Sequence, residues 1–213
     1  MKQWRVFSLG GIMTVLGGCG NVEETHSETK GLYLTKAHWA NNKASVCFVP
    51  ESTVSNKEKL GVKSLVENTW LQHIDFKFTG WKTCGSKGAD IKILMGKGTK
   101  RGWSYIGAYS RSKSPSMALR DFENEGKNQN YYRYGIVHEF GHALGIRHEH
   151  TRIDRPADWN VSKKCGGKTS KGKTIGNYDR QSIMNYCQPA RPVLSAGDIA
   201  TIKAMYGNKN SSR

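Results

Sequence analysis

His138-Glu139-Phe140-Gly141-His142-Ala143-Leu144-Gly145-Ile146-Arg147-His148 is the stretch whose reading decides the fold. His138 and His142 stand four residues apart, so a helix puts both imidazoles on one face, where they can clamp a single metal ion. Glu139 lies beside the first of them, where its carboxylate can reach a metal-bound water. Gly145 allows the backbone to leave the helix in a left-handed conformation that residues with a Cβ adopt reluctantly. That turn brings His148 back as a third ligand. Three neutral imidazoles suit zinc, and with no fourth protein ligand one position stays open for water. A helix that merely carries surface histidines would account for the first five residues, but not for Gly145 and His148 at their offsets.

The helix expected over Tyr131–Leu144 has α+β surroundings. Upstream, Ala44-Ser45-Val46-Cys47-Phe48-Val49 predicts a strand stopped by Pro50. Lys57 to His73 carries Leu60, Leu65, Val66 and Trp70 near helical spacing, with Ser55 as its cap. Ile74–Phe78 and Asp90–Leu94 alternate as half-buried strands. Gly102–Tyr109 is a further strand candidate with Trp103, Tyr105 and Tyr109 on one face, readable equally as core packing or as a functional surface. Residues 111–130 are polar and interrupted by Pro115 and Gly126, so most of that span should be loop. A last helix is capped by Ser195, repeats Ile199, Ile202, Met205 and Tyr206, and is stopped by Gly207.

The chain has 213 residues, enough for one domain with a real core. Mean hydropathy is −0.63, and no apolar run reaches the ~20 residues of a membrane-spanning helix. Lys and Arg number 33 against 17 Asp and Glu, a surface that favours anionic partners or simply solubilises the domain. Lys163, Lys164, Lys168, Lys171 and Lys173 crowd one glycine-rich stretch without interleaved aromatics, which argues against specific nucleic-acid binding. The chain starts with basic Lys2 and Arg5, an apolar run from Val6 to Leu16, and Gly17-Gly18-Cys19. That order reads as an export signal over residues 1–18. Its end resembles a bacterial lipoprotein signal in which Cys19 is lipidated; an ordinary cleaved signal is the alternative. Gly20 after the cysteine favours the outer membrane, so the expected location is the bacterial cell envelope. Asn21–Lys30 is polar and reads as a tether, drawn over residues 19–36, before one domain at 37–213. With Cys19 consumed, Cys47, Cys84, Cys165 and Cys187 remain, and four cysteines in an exported protein suggest two disulfides. Of three connectivities, Cys47–Cys84 and Cys165–Cys187 is favoured, because each closes a loop within one half of the domain.

Gln181-Ser182-Ile183-Met184-Asn185-Tyr186 carries the second chemical element. With the histidine motif upstream it looks like the methionine turn of the metzincin zinc proteases, Met184 forming a hydrophobic floor under the ligands. The run His148-Glu149-His150-Thr151-Arg152, with Asp154-Arg155, resembles the astacin family, as do Gly102–Gly107 and Tyr178–Tyr186. The resemblance implies a metzincin-type zincin domain with its zinc at the floor of a cleft. Its upper half (about 37–145) would hold a mostly parallel sheet with an antiparallel edge strand and two helices above. The lower half (about 146–207) would be irregular and end in a C-terminal helix. It also implies that an extended protein or peptide substrate pairs with the edge strand near Trp103–Tyr109. In astacins the residue at Glu149 helps hold the mature N-terminal segment.

The chain departs from the family at Asn185, where astacins usually have histidine, and in its cysteine framework. The activity expected is a monomeric zinc endopeptidase. Zinc-bound water is its nucleophile and Glu139 the general base, while Tyr186, whose phenol could bind the metal or the oxyanion, serves as the oxyanion donor. The competing reading is a non-catalytic, zinc-containing cationic surface-binding protein.

Overall fold

The structure, a computed structural model, describes residues 31–96, 99–120, 129–156, 168–187 and 189–209. In chain order its strands are β1 (Gly31–Tyr33), β2 (Lys43–Phe48), β3 (Lys77–Thr83), β4 (Ile91–Met95), β5 (Trp103–Ser104), β6 (Met117–Leu119) and β7 (Lys173–Ile175). Its helices are α1 (Asn56–Glu67), α2 (Gln129–Ala143) and α3 (Ala196–Tyr206). The expected export signal, Cys19, Cys165 and the Asn21–Lys30 tether lie outside the described residues.

The main sheet has the order β3-β2-β4-β6-β5. Its neighbours run parallel except β5, which is antiparallel to β6 and forms one edge. Alternation explains the inner strands: Ala44, Val46 and Phe48 on β2 and Ile91, Ile93 and Met95 on β4 are all buried. Ser55 caps α1 through a capping box with Glu58, and Val62, Leu65 and Val66 turn its apolar side into the same core. Trp70, fully buried beyond the end of α1, donates its indole N–H to the Val137 carbonyl at 2.8 Å and ties that end to α2. A disulfide joins Cys47 on β2 to Cys84 just past β3, as favoured from the sequence. Cys187 is also disulfide-bonded.

Four expectations shift. The strand drawn over Ile74–Phe78 begins at Lys77 and runs to Thr83. Gly80 and Trp81 have positive φ there, at the bulge where the β2–β3 register shifts, and this breaks the alternation. The Gly102–Tyr109 strand shrinks to two residues, because the backbone turns into a 3-10 segment from Gly107 to Ser112. At Gly107 a Cβ would stand 2.0 Å from the Ala37 carbonyl oxygen, and φ is +48°. Inside the expected loop, Met117–Leu119 forms β6, buried between β4 and β5 and therefore apolar without alternation. Finally, residues 31–36 belong to the folded domain and not to a tether. β1 is buried and pairs with β7, while Leu34 donates its N–H to the Gly145 carbonyl at 3.1 Å.

Candidate active site

The second half of α2 crosses the core: every residue from Ile136 to Ala143 is buried, the two histidines and Glu139 included. The helix ends as the motif requires. Ile146 donates its N–H to the Gly141 carbonyl (3.0 Å) and Gly145 to the His142 carbonyl (2.8 Å), with Gly145 at φ +103°. This paired closure with a left-handed glycine is the Schellman motif. β1 braces the turn, since Arg147 donates its N–H to the Leu32 carbonyl and Tyr33 bridges Ile146. His148 thereby folds back on the helix.

The three imidazoles converge. His148 Nε2 lies 3.2 Å from His138 Nε2 and 3.0 Å from His142 Nε2. Nitrogens around a tetrahedral zinc at ~2.0–2.1 Å stand roughly 3.3 Å apart, so the spacing fits that ion. The far nitrogens point at backbone carbonyls: His138 Nδ1 at Ile183 O (2.9 Å) and His142 Nδ1 at Ile146 O (2.8 Å). Donation there fixes the tautomer and leaves each Nε2 lone pair for the metal. Burial holds all three histidines well below their ordinary pKa, His142 at about 4, so they are neutral ligands near pH 7. Among the described residues this triad is the group able to hold a metal ion. It is the site of one zinc.

The other expected residues lie around it. Met184 is fully buried beneath the helix, and a Cβ on Gly141 would meet its Sδ at 2.6 Å. Glu139 is 5% exposed, its Oε2 has no hydrogen-bond partner, and burial pushes its carboxyl up to about 8. Gly102 packs against it: a Cβ there would stand 2.9 Å from Glu139 Oε1 and push the carboxylate aside. Both residues line a cleft of about 850 Å³ together with His138, Tyr186, Tyr134, Arg120 and Lys100. Tyr186 is half-exposed, its ring stacked on His138 (centroids 4.9 Å, planes 19° apart) and close to His148 (4.4 Å). Burial and the nearby Glu139 raise its pKa, so the phenol stays protonated. Trp103, Tyr105 and Tyr109 are exposed, which rules out the core alternative.

Several partners were not legible from sequence spacing. Asp198, on α3, takes hydrogen bonds from Ser182 Oγ (2.6 Å) and from the N–H of Ile183 (2.8 Å) and Ser195 (2.9 Å). It thus pins the methionine turn whose Ile183 carbonyl orients His138. Its one sequence signal is its place three residues after a capping serine. Glu149 finds an internal partner: Arg152 Nη1 lies 3.3 Å from its Oε1, which also accepts the Asp179 N–H at 2.7 Å. Arg152 is itself fully buried and donates to the carbonyls of Gly31, Ile175 and Gly176. Asn185, where the family usually has histidine, is buried; its Nδ2 donates to Tyr178 Oη at 3.0 Å and its Oδ1 accepts the Cys187 N–H.

A parallel sheet with an antiparallel edge, a three-histidine zinc site closed by a glycine turn, and a methionine floor define a metzincin-type zinc-protease domain. Residues 32–211 match the model of the astacin peptidase family, and the chain belongs to that family. A serralysin of Photorhabdus laumondii is 29% identical over 119 residues, 51% of this chain and 22% of that protein. Astacin-like metalloprotease toxin 2 of Loxosceles intermedia is 37% identical over 84 residues, 35% of this chain and 31% of the toxin. The aligned regions thus span less than a third of either relative. A solved structure of myroilysin superposes with a TM-score of 0.62 at 22% identity, covering 84% of this chain and all of that one, a likeness of fold.

Proposed function

We propose that the protein is a zinc-dependent endopeptidase that hydrolyses peptide bonds in extended protein segments. The observation that carries this reading is the buried Glu139 carboxylate, with an unpartnered oxygen, beside the three-nitrogen site in the cleft wall. A purely structural zinc would have no use for so costly a group. When bound, zinc supplies a Lewis acid for the scissile carbonyl and lowers the pKa of a coordinated water to about 7. Glu139, which the positive charge of a bound zinc would return to the carboxylate form despite its burial, takes the proton of the attacking water and delivers it to the leaving amine as the C–N bond breaks. The Tyr186 phenol donates to the oxyanion that forms on the carbonyl oxygen. β5, an edge strand among the described residues, offers backbone groups to an extended substrate. The test is casein hydrolysis by zinc-loaded protein beside Glu139→Gln. The variant should keep its zinc and lose nearly all turnover. An inactive zinc-loaded wild type, or an equally active variant, overturns the proposal, the former in favour of a binding protein.

Location is a second part of the reading, supported by the sequence from Lys2 to Cys19. Lipidation of Cys19 would hold the domain at the bacterial envelope on a short polar tether, restricting it to substrates at that surface. Fractionation of wild type and Cys19→Ser tests this. Wild type in the soluble fraction at moderate salt overturns it.

A further inference from the structure

The fourth histidine of the motif region, His150, has no part in the mechanism above, yet it is buried against it. Its side chain comes from the 3-10 segment Glu149–Thr151, directly after the third ligand, and is 6% exposed. The ring stacks on His148 (centroids 4.9 Å, planes 29° apart) and on Tyr186 (4.9 Å, 28°). Its Nδ1 also lies 3.3 Å from the Tyr186 backbone N, placed to accept that N–H. Tyr186 is therefore held by the same imidazole at two places, its amide and its ring. The tyrosine is otherwise half-exposed, at the rim of the cleft, and rests on His138 and His148. The segment carrying His150 is anchored from below, because Glu149 donates its N–H to the Met184 carbonyl at 3.0 Å. His148, His150 and Tyr186 thus form one packed unit, each ring centroid no more than 4.9 Å from the other two.

From this we infer that His150 is a positioning residue for Tyr186, fixing where the phenol hangs over the zinc site without touching metal or substrate. A hydroxyl that must meet an oxyanion gains from a preset location, because a displacement of about 1 Å is enough to cost much of an oriented interaction. Mere core filling would ask only for volume. Here the contact combines an acceptor for the Tyr186 N–H with a flat ring stacked at 29° and 28° on its two neighbours, which volume alone does not explain. The inference rests on the oxyanion role of Tyr186, and its test separates the two.

Two variants divide the contact: His150→Phe keeps the ring and loses the acceptor, while His150→Asn keeps an acceptor and loses the ring. Both are made alone and combined with Tyr186→Phe, and zinc content is measured throughout. Each single variant should retain zinc and leave KM near its wild-type value, with kcat reduced about fivefold, the effect of weakening one hydrogen bond. In the Tyr186→Phe background the same changes should cost almost nothing, because the hydroxyl they position is gone. A readout independent of activity is the ¹⁹F spectrum of 3-fluorotyrosine-labelled, zinc-loaded protein, with the Tyr186 resonance assigned by its loss in Tyr186→Phe. That resonance should move in both His150 variants. Additive losses in kcat, an unmoved Tyr186 resonance, or zinc lost from the His150 variants would each overturn the inference. If Tyr186→Phe alone leaves turnover unchanged, the oxyanion role falls, and the resonance still decides whether His150 positions the ring.

Discussion

At the scale of single residues, two glycines set the geometry of the zinc site for different reasons. Gly145 is needed for its backbone: at φ +103° an L-residue is strained, whereas the nearest atom to a new Cβ, Met205 Cε at 3.0 Å, can swing aside. Gly145→Ala should therefore cost roughly 1–2 kcal/mol in denaturant unfolding, the price of a left-handed non-glycine residue. It should also weaken zinc binding, since the turn delivers His148; an unchanged zinc Kd would show that the turn does not set the ligand. Gly141 is needed for space. A methyl there would press on Met184 Sδ at 2.6 Å and Trp70 Cζ2 at 3.0 Å. Gly141→Ala should overpack the floor and cost about 1–3 kcal/mol. Replacing Met184 by Leu in the same chain should recover part of that loss if the clash is with the sulfur, and recover none if it is with Trp70.

At the scale of elements, α3 and the methionine turn act as one piece because Asp198 belongs to both. Asp198→Ala leaves the Ile183 N–H, the Ser195 N–H and the Ser182 hydroxyl without their acceptor in a buried place. The expected loss is on the order of 3 kcal/mol. Zinc affinity should fall about 10- to 100-fold, as for other partners that orient a ligand through a hydrogen bond. Asp198→Asn should keep most of both, since one oxygen can still serve the two amides; an equal loss in both variants would show that the charge matters and not the geometry. A second carboxylate closes the parallel pair β2–β4. Asp90 Oδ2 accepts from the Ser45 N–H and hydroxyl, at 2.7 and 2.8 Å, and Oδ1 from Arg111 Nε at 2.8 Å. Burial pushes its carboxyl up, but these donors outweigh it and hold the pKa below 3.8. A depressed acid pKa means that the unfolded chain binds the proton more readily. The stability Asp90 adds is therefore present above about pH 4 and lost as pH falls through the folded value. Asp90→Asn should be less stable than wild type at pH 7 and approach it as the pH falls through the folded value. These contacts also explain what the sequence left hidden. α1, α3 and the ends of β2 and β4 were legible because caps and alternation are local. The bulge at Gly80–Trp81, the two-residue β5 and the apolar β6 were not, because their form is imposed by neighbours distant in the chain. The same holds for the site: His138, His142, His148 and Gly145 follow a local spacing, whereas Asp198 meets Ile183 only after folding.

At the scale of the whole molecule, the zinc site joins two parts of the chain that differ in how they are built. His138 and His142 stand on a helix embedded in the main core, while His148 lies beyond the turn, in a region of short elements held by β1, β7 and the buried Arg152. Metal binding should therefore stabilise the region past the turn more than the sheet. A ligand that binds only the folded chain adds about 4 kcal/mol at a thousand times its Kd. For a domain of this size that corresponds to a rise in Tm on the order of 10 °C. Chelation of the zinc-loaded protein should lower Tm by that order, and zinc returned in slight excess should restore it. His148→Ala should unfold near the temperature of the chelated wild type and respond weakly to either treatment. Hydrogen exchange on loaded and chelated protein locates the effect: amides of Arg147, Glu149, Thr151 and Arg152 should lose protection on chelation well before Val46, Ile91 and Ile93 in the sheet. Uniform loss across both sets would mean that the domain unfolds as a single unit and that the metal does not act mainly on the part past the turn.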